Sequence, residues 1–182
     1  MSLSRTFLLS VLIGVIGVVG LAFASRDPVR MAGQRAAPVA HSLSRHVDVR
    51  DQITIAEIGR LKADGYRAII SLRPDGEAAD QPPSEAVRRA AEAEGLSFAY
   101  IPTPRSTIPD ATVDELSRVL ATADGPVLLY CRSGSRAARA WALAEASRQG
   151  GSSMPAIIEA VRGAGQRVDD LLPRIEARLA AR

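Results

Sequence analysis

The residues of this chain best suited to chemistry form one short run, Cys131-Arg132-Ser133-Gly134-Ser135-Arg136. The run lies between a continuous apolar segment, which predicts a buried strand, and a helical pattern that begins at Ala137. Backbone N–H groups in a tight loop that enters a helix bind anions, and Gly134 permits a backbone conformation that a side chain would resist. The guanidinium of Arg136 can donate paired hydrogen bonds to an oxyanion. We therefore predict a site for a small anion, contacted by Arg132, Ser133, Gly134, Ser135 and Arg136.

Cys131 is the only cysteine in the 182 residues. A single cysteine excludes an internal disulfide and any multi-thiolate zinc or iron–sulfur site. The two histidines, His41 and His46, are too few for a histidine-rich metal centre. Most lone cysteines are small buried hydrophobes, and that alternative stays open here. Beside an anion loop, however, a thiol is expected to react as a thiolate nucleophile, so we predict a catalytic cysteine with no metal and no cofactor.

A second candidate loop follows the predicted strand Tyr66–Leu72. It contains Arg73, Asp75 and Glu77, and it can lie beside the cysteine loop because the carboxyl ends of parallel strands meet at one edge of a sheet. Arg73 is predicted to bind substrate. Asp75 is the predicted general acid if the substrate is a phosphate ester, with Asp110 as the alternative. Ordinary turn and helix-cap chemistry is the competing interpretation for both aspartates.

Helical and strand patterns alternate from Val47 onward, which predicts βαβ units and a three-layer α/β sandwich with a mostly parallel sheet. A capping box of Thr54 and Glu57 starts the first helix. The predicted strands are Val47–Val49 at the edge, Tyr66–Leu72, Ser97–Ile101 and, in the centre, Pro126–Tyr130. The predicted helices are Ile55–Asp64, Ser84–Glu94, Val113–Ala123 capped by Thr112, Ala137–Gln149, Pro155–Gly163 and Val168–Arg182.

The N-terminal segment is of a different kind. Residues 6–24 contain no charged side chain, and as a helix they would span about 30 Å, the thickness of a bilayer core. We favour a single-pass membrane anchor in residues 1–25. A signal peptide cleaved near Ala24, which would give a secreted or periplasmic protein, is the alternative. The arginines after the segment favour a cytoplasmic C-terminal part. Residues 26–46 are predicted to be a linker, and residues 47–182 a single catalytic domain.

The charge pattern argues against nucleic acid as a partner. The net charge is +3 and Lys62 is the only lysine. Acidic residues are interspersed through nearly all of the chain, and no basic stripe with aromatic residues is present. The predicted partners are instead a small sulfur- or phosphate-containing anion, a thiol acceptor, and the membrane through residues 6–24.

The cysteine loop resembles the active loops of two enzyme families. The rhodanese sulfurtransferase pattern, Cys-Arg-x-Gly-x-Arg/Thr, matches at all four specified positions, Cys131, Arg132, Gly134 and Arg136. The Cys-x5-Arg loop of protein tyrosine and dual-specificity phosphatases is also similar. Here, however, the arginine comes five positions after the cysteine rather than six, and position six is Ala137. Tyr130 occupies the position where those phosphatases commonly have a histidine. The shorter loop should suit a persulfide better than a phosphate ester.

Residues from about Val47 to Trp141 resemble the DUF442 family, the phosphatase-like domain also found fused in beta-lactamase hydrolase-like proteins. Three stretches carry the resemblance: AIISLRPDGE with the downstream Gln81-Pro82, EAEGLSFAYIP, and GPVLLYCRSGSRA with Trp141. Members are described both as phosphatase-like proteins and as sulfurtransferases. The resemblance implies a dual-specificity-phosphatase-like fold with a cysteine loop of rhodanese length.

Three functional hypotheses follow. The first is a membrane-tethered sulfurtransferase, in which Cys131 carries a persulfide held by the loop amides and Arg136. The alternative is a phosphatase, in which Cys131 forms a phosphocysteine and Arg136 binds the phosphoryl oxygens. The third is a non-catalytic anion-binding module, which would have an inaccessible or unreactive Cys131.

Overall fold

A computed structural model describes residues 39–182 of the chain. The strands in this part are β1 His41–Ser44, β2 Val47–Arg50, β3 Ala68–Ser71, β4 Ser97–Tyr100 and β5 Val127–Tyr130. The helices are α1 Ile58–Ala63, α2 Ser84–Ala93, α3 Asp110–Thr122, α4 Ser135–Ser147, α5 Met154–Gly163 and α6 Leu172–Ala181. Single 3-10 turns, Ile55–Glu57 and Asp169–Leu171, lead into α1 and α6.

The five strands form one sheet in the order β1-β2-β5-β3-β4. All neighbours are parallel except β1 and β2, which are antiparallel. The predicted α/β fold with a mostly parallel sheet and a central β5 is therefore confirmed. The helices that follow β2 and β3 pack on one face of the sheet, whereas α4, which follows β5, packs on the other, so the chain changes face at the carboxyl end of β5. Open α/β sheets bind ligands at such a point.

Helices cover both faces of the sheet. Alternate residues of β5 point to opposite sides, as the two-residue period of a strand requires. Leu128 packs in a cluster with residues of α1 and α2, and Leu129 packs in a cluster with residues of α3 to α6. Both leucines are fully buried, and each such side chain stabilises the fold by about 1.5–3 kcal/mol through lost apolar surface. This two-sided burial explains why the β5 sequence is continuously apolar.

The amino-terminal edge of the sheet differs from the prediction. The edge strand is β1, which lies in the segment predicted to be a linker, and β2 pairs on both sides instead of forming the edge. Only Leu43 of β1 is well buried. Backbone pairing with β2 stabilises this strand, so its own sequence has little strand character.

The start of one helix agrees with the sequence prediction, and the start of another does not. The capping box is present: the backbone N–H of Thr54 donates to Glu57 Oε2 at 2.7 Å. The third helix, in contrast, starts at Asp110 after Pro109, three residues before the predicted start. Thr112 is buried within its first turn and does not cap it. Pro109, directly before the helix, indicates the observed start, whereas Thr112 resembles a helix cap and indicates a later one.

The predicted membrane segment, residues 6–24, lies outside the described residues. Among residues 39–182, no helix has both the length and the apolar character needed to cross a bilayer.

Candidate active site

Cys131 is the first residue after the central strand β5 and is 1% exposed. It belongs to the cluster of buried residues between the sheet and helices α3 to α6. The preceding Tyr130 belongs to the cluster on the opposite face, and burial raises the pKa of its hydroxyl. The thiol thus lies at the edge of the sheet where the parallel strands end. The predicted anion-binding loop starts at the same residue.

The loop after Cys131 is held on two sides. The carbonyl oxygen of Arg132 accepts a hydrogen bond from the backbone N–H of Gln52 at 3.4 Å. The carbonyl oxygen of Ser133 accepts one from Gln166 Nε2 at 3.1 Å. Gly134 then caps helix α4 with φ of 82°, a left-handed conformation that disfavours other residues. This conformation turns the chain into α4, whose first N–H groups have no partner within the helix.

Arg136, in the first turn of α4, is buried and firmly held. Its Nη1 donates to Glu77 Oε1 and to the carbonyl oxygen of Thr103, both at 2.8 Å, and its Nη2 donates to Glu77 Oε2 at 2.7 Å. A guanidinium has five N–H donors, and these bonds use three of them. Among the described residues, none accepts from Nε, which lies on the same side as the second Nη2 hydrogen. On that side, two N–H groups of the guanidinium remain available to donate hydrogen bonds to an anion.

Glu77 lies between two arginines. Its Oε2 also accepts from Arg73 Nε at 3.2 Å, and Arg73 Nη1 donates to Gln52 Oε1 at 2.9 Å. Hydrogen bonding and charge from Arg136, and then from Arg73, hold the pKa of the Glu77 carboxyl below its usual range. One carboxylate between two guanidiniums leaves a net positive charge beside the cysteine loop, which favours an anion.

The structure gives the predicted general acid a different contact. The two carboxylate oxygens of Asp75 accept hydrogen bonds from the backbone N–H and the hydroxyl of Ser84, at 2.8 and 2.7 Å. Asp75 therefore holds the start of α2, as the competing interpretation proposed. Asp110, the alternative, accepts from Arg174 at 2.6 Å and from Arg178 at 2.7 Å.

The remaining predicted contacts lie at the surface of the loop. The side chains of Arg132 and Ser133 are exposed, and Ser135 is half-buried. A pocket of about 260 Å³ opens beside the loop, lined in part by His41, Arg50, Asp51, Ser133, Gly134 and Gln166. A larger pocket, of about 600 Å³, lies at the other end of the sheet, near His46 and Trp141. No residue of the cysteine loop lines that larger pocket.

The sequence does not predict that Glu77, Gln52 and Thr103 bind the arginines of the site. Glu77 was placed near the loop by its position after a strand, but its pairing with Arg136 spans 59 residues of sequence. Gln52 and Thr103 follow strands β2 and β4, and only the strand order brings them to β5. Position after a strand was the available signal, because all three lie at the carboxyl edge of the sheet.

Comparison with known proteins places most of this domain in one family. The family model of the "Beta-lactamase hydrolase-like protein, phosphatase-like domain" matches residues 40–148. A Beta-lactamase hydrolase-like protein of Xylella fastidiosa is 37% identical over 107 residues, which cover 56% of this chain and 25% of that protein. The chain thus matches only about a quarter of the length of this curated relative. The family match starts just before β1 and ends just after α4.

Solved structures agree on the fold. A candidate phosphatase from Neisseria meningitidis is 27% identical, with a TM-score of 0.66, over 76% of this chain and 96% of that one. The P. aeruginosa protein TpbA, solved in complex with phosphotyrosine, has a TM-score of 0.51 and 20% identity, over 80% of this chain and 90% of that one. The second likeness shows the fold alone. Together they show a phosphatase-like α/β domain.

Proposed function

The chain belongs to the family of Beta-lactamase hydrolase-like protein, phosphatase-like domains, and on that premise we propose that it is a cysteine-dependent phosphatase. The observation that carries the proposal is the geometry of Arg136. Glu77 binds one edge of its guanidinium, so the edge with Nε and Nη2 can bind two oxygens of a phosphoryl group. Cys131 begins the same loop and supplies the nucleophile in this proposal. Cys131 is 1% exposed, which is the feature expected of the anion-binding module, so that module stays an alternative that the assays below must separate. The phosphatase-like family and the similarity to a solved candidate phosphatase favour this hypothesis over sulfur transfer.

In the proposed mechanism the thiolate of Cys131 attacks phosphorus, and a phosphocysteine forms as the bond to the leaving oxygen breaks. The loop N–H groups and the free edge of Arg136 bind the equatorial oxygens, where charge is spread in the transition state. Water then attacks the phosphocysteine, which releases phosphate and regenerates the thiolate. Arg73 acts indirectly, because it helps to hold Glu77 against Arg136.

The substrate class we propose is an aryl phosphate. The fold neighbour TpbA was solved with phosphotyrosine. The side chains of Arg132 and Ser133 are exposed at the loop surface and would contact such a substrate.

Rhodanese-type sulfur transfer is the second candidate, and the loop length favours it. Arg136 follows Cys131 by five residues, the rhodanese spacing, and not by the six of the phosphatase pattern. In this reaction Cys131 would take the outer sulfur of thiosulfate with release of sulfite, and a thiol or cyanide would then accept that sulfur.

A paired assay on the full chain separates the candidates. We expect hydrolysis of p-nitrophenyl phosphate, and its loss in Cys131→Ser. Arg136→Lys keeps the positive charge but loses the paired N–H donors of the guanidinium, so we expect a fall of about 10²–10³ in kcat/KM. Arg89→Lys is the matched control, since Arg89 is exposed on α2 and its change should be neutral.

The same preparations are tested for sulfur transfer from thiosulfate to cyanide. Sulfur transfer that depends on Cys131, without phosphate hydrolysis, would favour the second candidate. Absence of both activities, together with phosphate binding, would favour the anion-binding module.

We also propose, from the sequence, that residues 6–24 attach the protein to a membrane. Export with cleavage near Ala24 remains the alternative, and the two are distinguished by the N-terminal residue of the purified protein.

A further inference from the structure

The turn between α5 and α6 contacts the cysteine loop, although it lies beyond the family match, which ends at residue 148. The side-chain amide of Gln166 donates from Nε2 to the carbonyl oxygen of Ser133 at 3.1 Å. The same nitrogen lies 3.5 Å from the position that a Cβ on Gly134 would occupy. One side chain of this turn therefore contacts the two residues in the middle of the loop.

Two successive carbonyl groups of the loop are held by hydrogen bonds. The carbonyl oxygen of Arg132 accepts from the backbone N–H of Gln52, and that of Ser133 accepts from Gln166. In a trans peptide the C=O and the following N–H point in opposite directions, and the described residues contain no cis peptide bond. The N–H groups of Ser133 and Gly134 therefore point away from the two glutamines. In the described part of the chain no protein group accepts from either N–H, so both can donate to an anion.

The turn that carries Gln166 is itself fixed to α4. Arg139 of α4 donates to both carboxylate oxygens of Asp170, at 2.7 and 2.6 Å. Ala164 and Val168, on either side of Gln166, are buried in the same cluster as the candidate nucleophile. Because the turn is held by an ion pair and by apolar packing, the bond from Gln166 restrains the loop.

On the basis of the proposed phosphatase function, we propose that Gln166 is a positioning residue of the active site. By holding the carbonyl of Ser133 it sets the plane of the next peptide, and so directs the N–H of Gly134 at the transferring phosphoryl group. An N–H aimed at charge that develops in the transition state lowers the barrier more than it strengthens binding of the ester. Loss of the Gln166 amide should therefore reduce kcat more than it raises KM.

Gln166→Met is the direct test, with the full chain as enzyme and p-nitrophenyl phosphate as substrate. Methionine is similar in length and uncharged, but it cannot donate a hydrogen bond. We expect kcat to fall by about 10–10²-fold, as for a donor that is shifted and not removed, with a much smaller change in KM. Gln149→Met is the matched control, since Gln149 is exposed after α4, and it should leave both constants unchanged. An unchanged kcat in Gln166→Met would overturn the inference.

Gln166→His distinguishes positioning from a general structural role. A neutral imidazole can donate from Nε2 at about the reach of the glutamine amide, so kcat should be higher than in Gln166→Met. The two variants should have the same urea midpoint. Equal kcat values for the two, or kcat values that simply follow their urea midpoints, would overturn the inference. If Gln166→Met does not fold, Gln166→Asn takes its place, because its amide is one methylene too short to reach the loop.

The proposed function can fail separately. If the wild type does not hydrolyse p-nitrophenyl phosphate, or if Cys131→Ser hydrolyses it as well as the wild type, the phosphatase proposal is wrong. Binding of inorganic phosphate, measured by calorimetry, then tests the contact by itself. Weaker binding in Gln166→Met than in Gln149→Met would support the role of Gln166 in orienting the loop, and equal binding would overturn it. Hydrolysis that depends on Cys131 but is unaffected by Gln166→Met would overturn the inference alone.

Discussion

A single carboxylate, Glu77, organises the charged residues of the site. Its side chain is 12% exposed, and it bridges Arg136 on α4 and Arg73 after β3. Burying three charges costs solvation energy, and such clusters contribute little net stability compared with apolar packing. The observed bonds point instead to a positional role, since they fix the guanidinium plane of Arg136 while leaving its second edge free. A residue with such a role should affect both folding and activity when changed.

Glu77→Gln tests this at the residue scale. Glutamine keeps the shape but leaves the buried Arg136 and Arg73 without a counter-charge, so we expect a loss of about 2 kcal/mol in the free energy of unfolding. We also expect a fall in kcat/KM for p-nitrophenyl phosphate. Glu159→Gln, at an exposed position of α5, is the control and should change stability by less than about 0.5 kcal/mol. Equal urea midpoints for the two variants would contradict the role given to Glu77.

The pH dependence of that loss has a defined sign. Arg136 and Arg73 hold the pKa of Glu77 below its usual range in the folded protein. The unfolded chain therefore binds a proton on this group at higher pH than the folded chain does, so the contribution is complete above the unfolded pKa of about 4.3. It is lost as the pH falls through the folded value. The stability difference between wild type and Glu77→Gln should be largest near pH ~7 and shrink below about pH 4. A difference that is unchanged or larger in acid would contradict the ion pairing.

At the scale of elements, the site depends on one junction, the strand β5, the cysteine loop and the helix α4. Gly134 makes the junction possible because its φ is 82°. A Cβ added there would lie 3.5 Å from the carbonyl oxygen of Arg50, which is an ordinary contact. Backbone conformation, and not lack of space, therefore favours glycine at this position.

Gly134→Ala should destabilise the protein by about 1–2 kcal/mol, the cost of a left-handed conformation for a residue with a side chain. It should also lower activity, because the loop N–H groups would shift. Gly163→Ala is the matched change, since Gly163 ends α5 without positive φ and has open space around it. It should stabilise the protein by about 0.5 kcal/mol, because alanine favours helix more than glycine does. Thermal unfolding of both variants checks the pair, and a neutral Gly134→Ala would contradict the role of the junction.

Much of this junction could be predicted from the sequence, because its signals are local. The apolar run before Cys131, the glycine and the helical pattern lie within about twenty residues. The capping box of Thr54 and Glu57 was predictable for the same reason. The edge strand β1 was not, because backbone pairing with β2 and not its own sequence forms it. Nor was the bond between Glu77 and Arg136, since strand order alone brings these residues together.

At the scale of the whole molecule, the family match and the fold do not have the same limits. The match covers residues 40–148, whereas the sheet and its helices continue to Ala181 in α6. The part of the chain beyond the match still contributes to the site, because Gln166, which follows α5, donates a hydrogen bond to the carbonyl oxygen of Ser133 in the cysteine loop. Membrane attachment through residues 6–24 is a separate prediction that rests on sequence alone.

Identification of the covalent intermediate on Cys131 tests the central claim most directly. The full chain is mixed with p-nitrophenyl phosphate in one sample and with thiosulfate in another, quenched rapidly, digested, and analysed by mass spectrometry. We predict a phosphoryl group on the peptide that contains Cys131, and its absence in Cys131→Ser. A sulfur atom on Cys131 after thiosulfate, with no phosphoryl adduct in the other sample, would contradict the proposal and establish sulfur transfer instead.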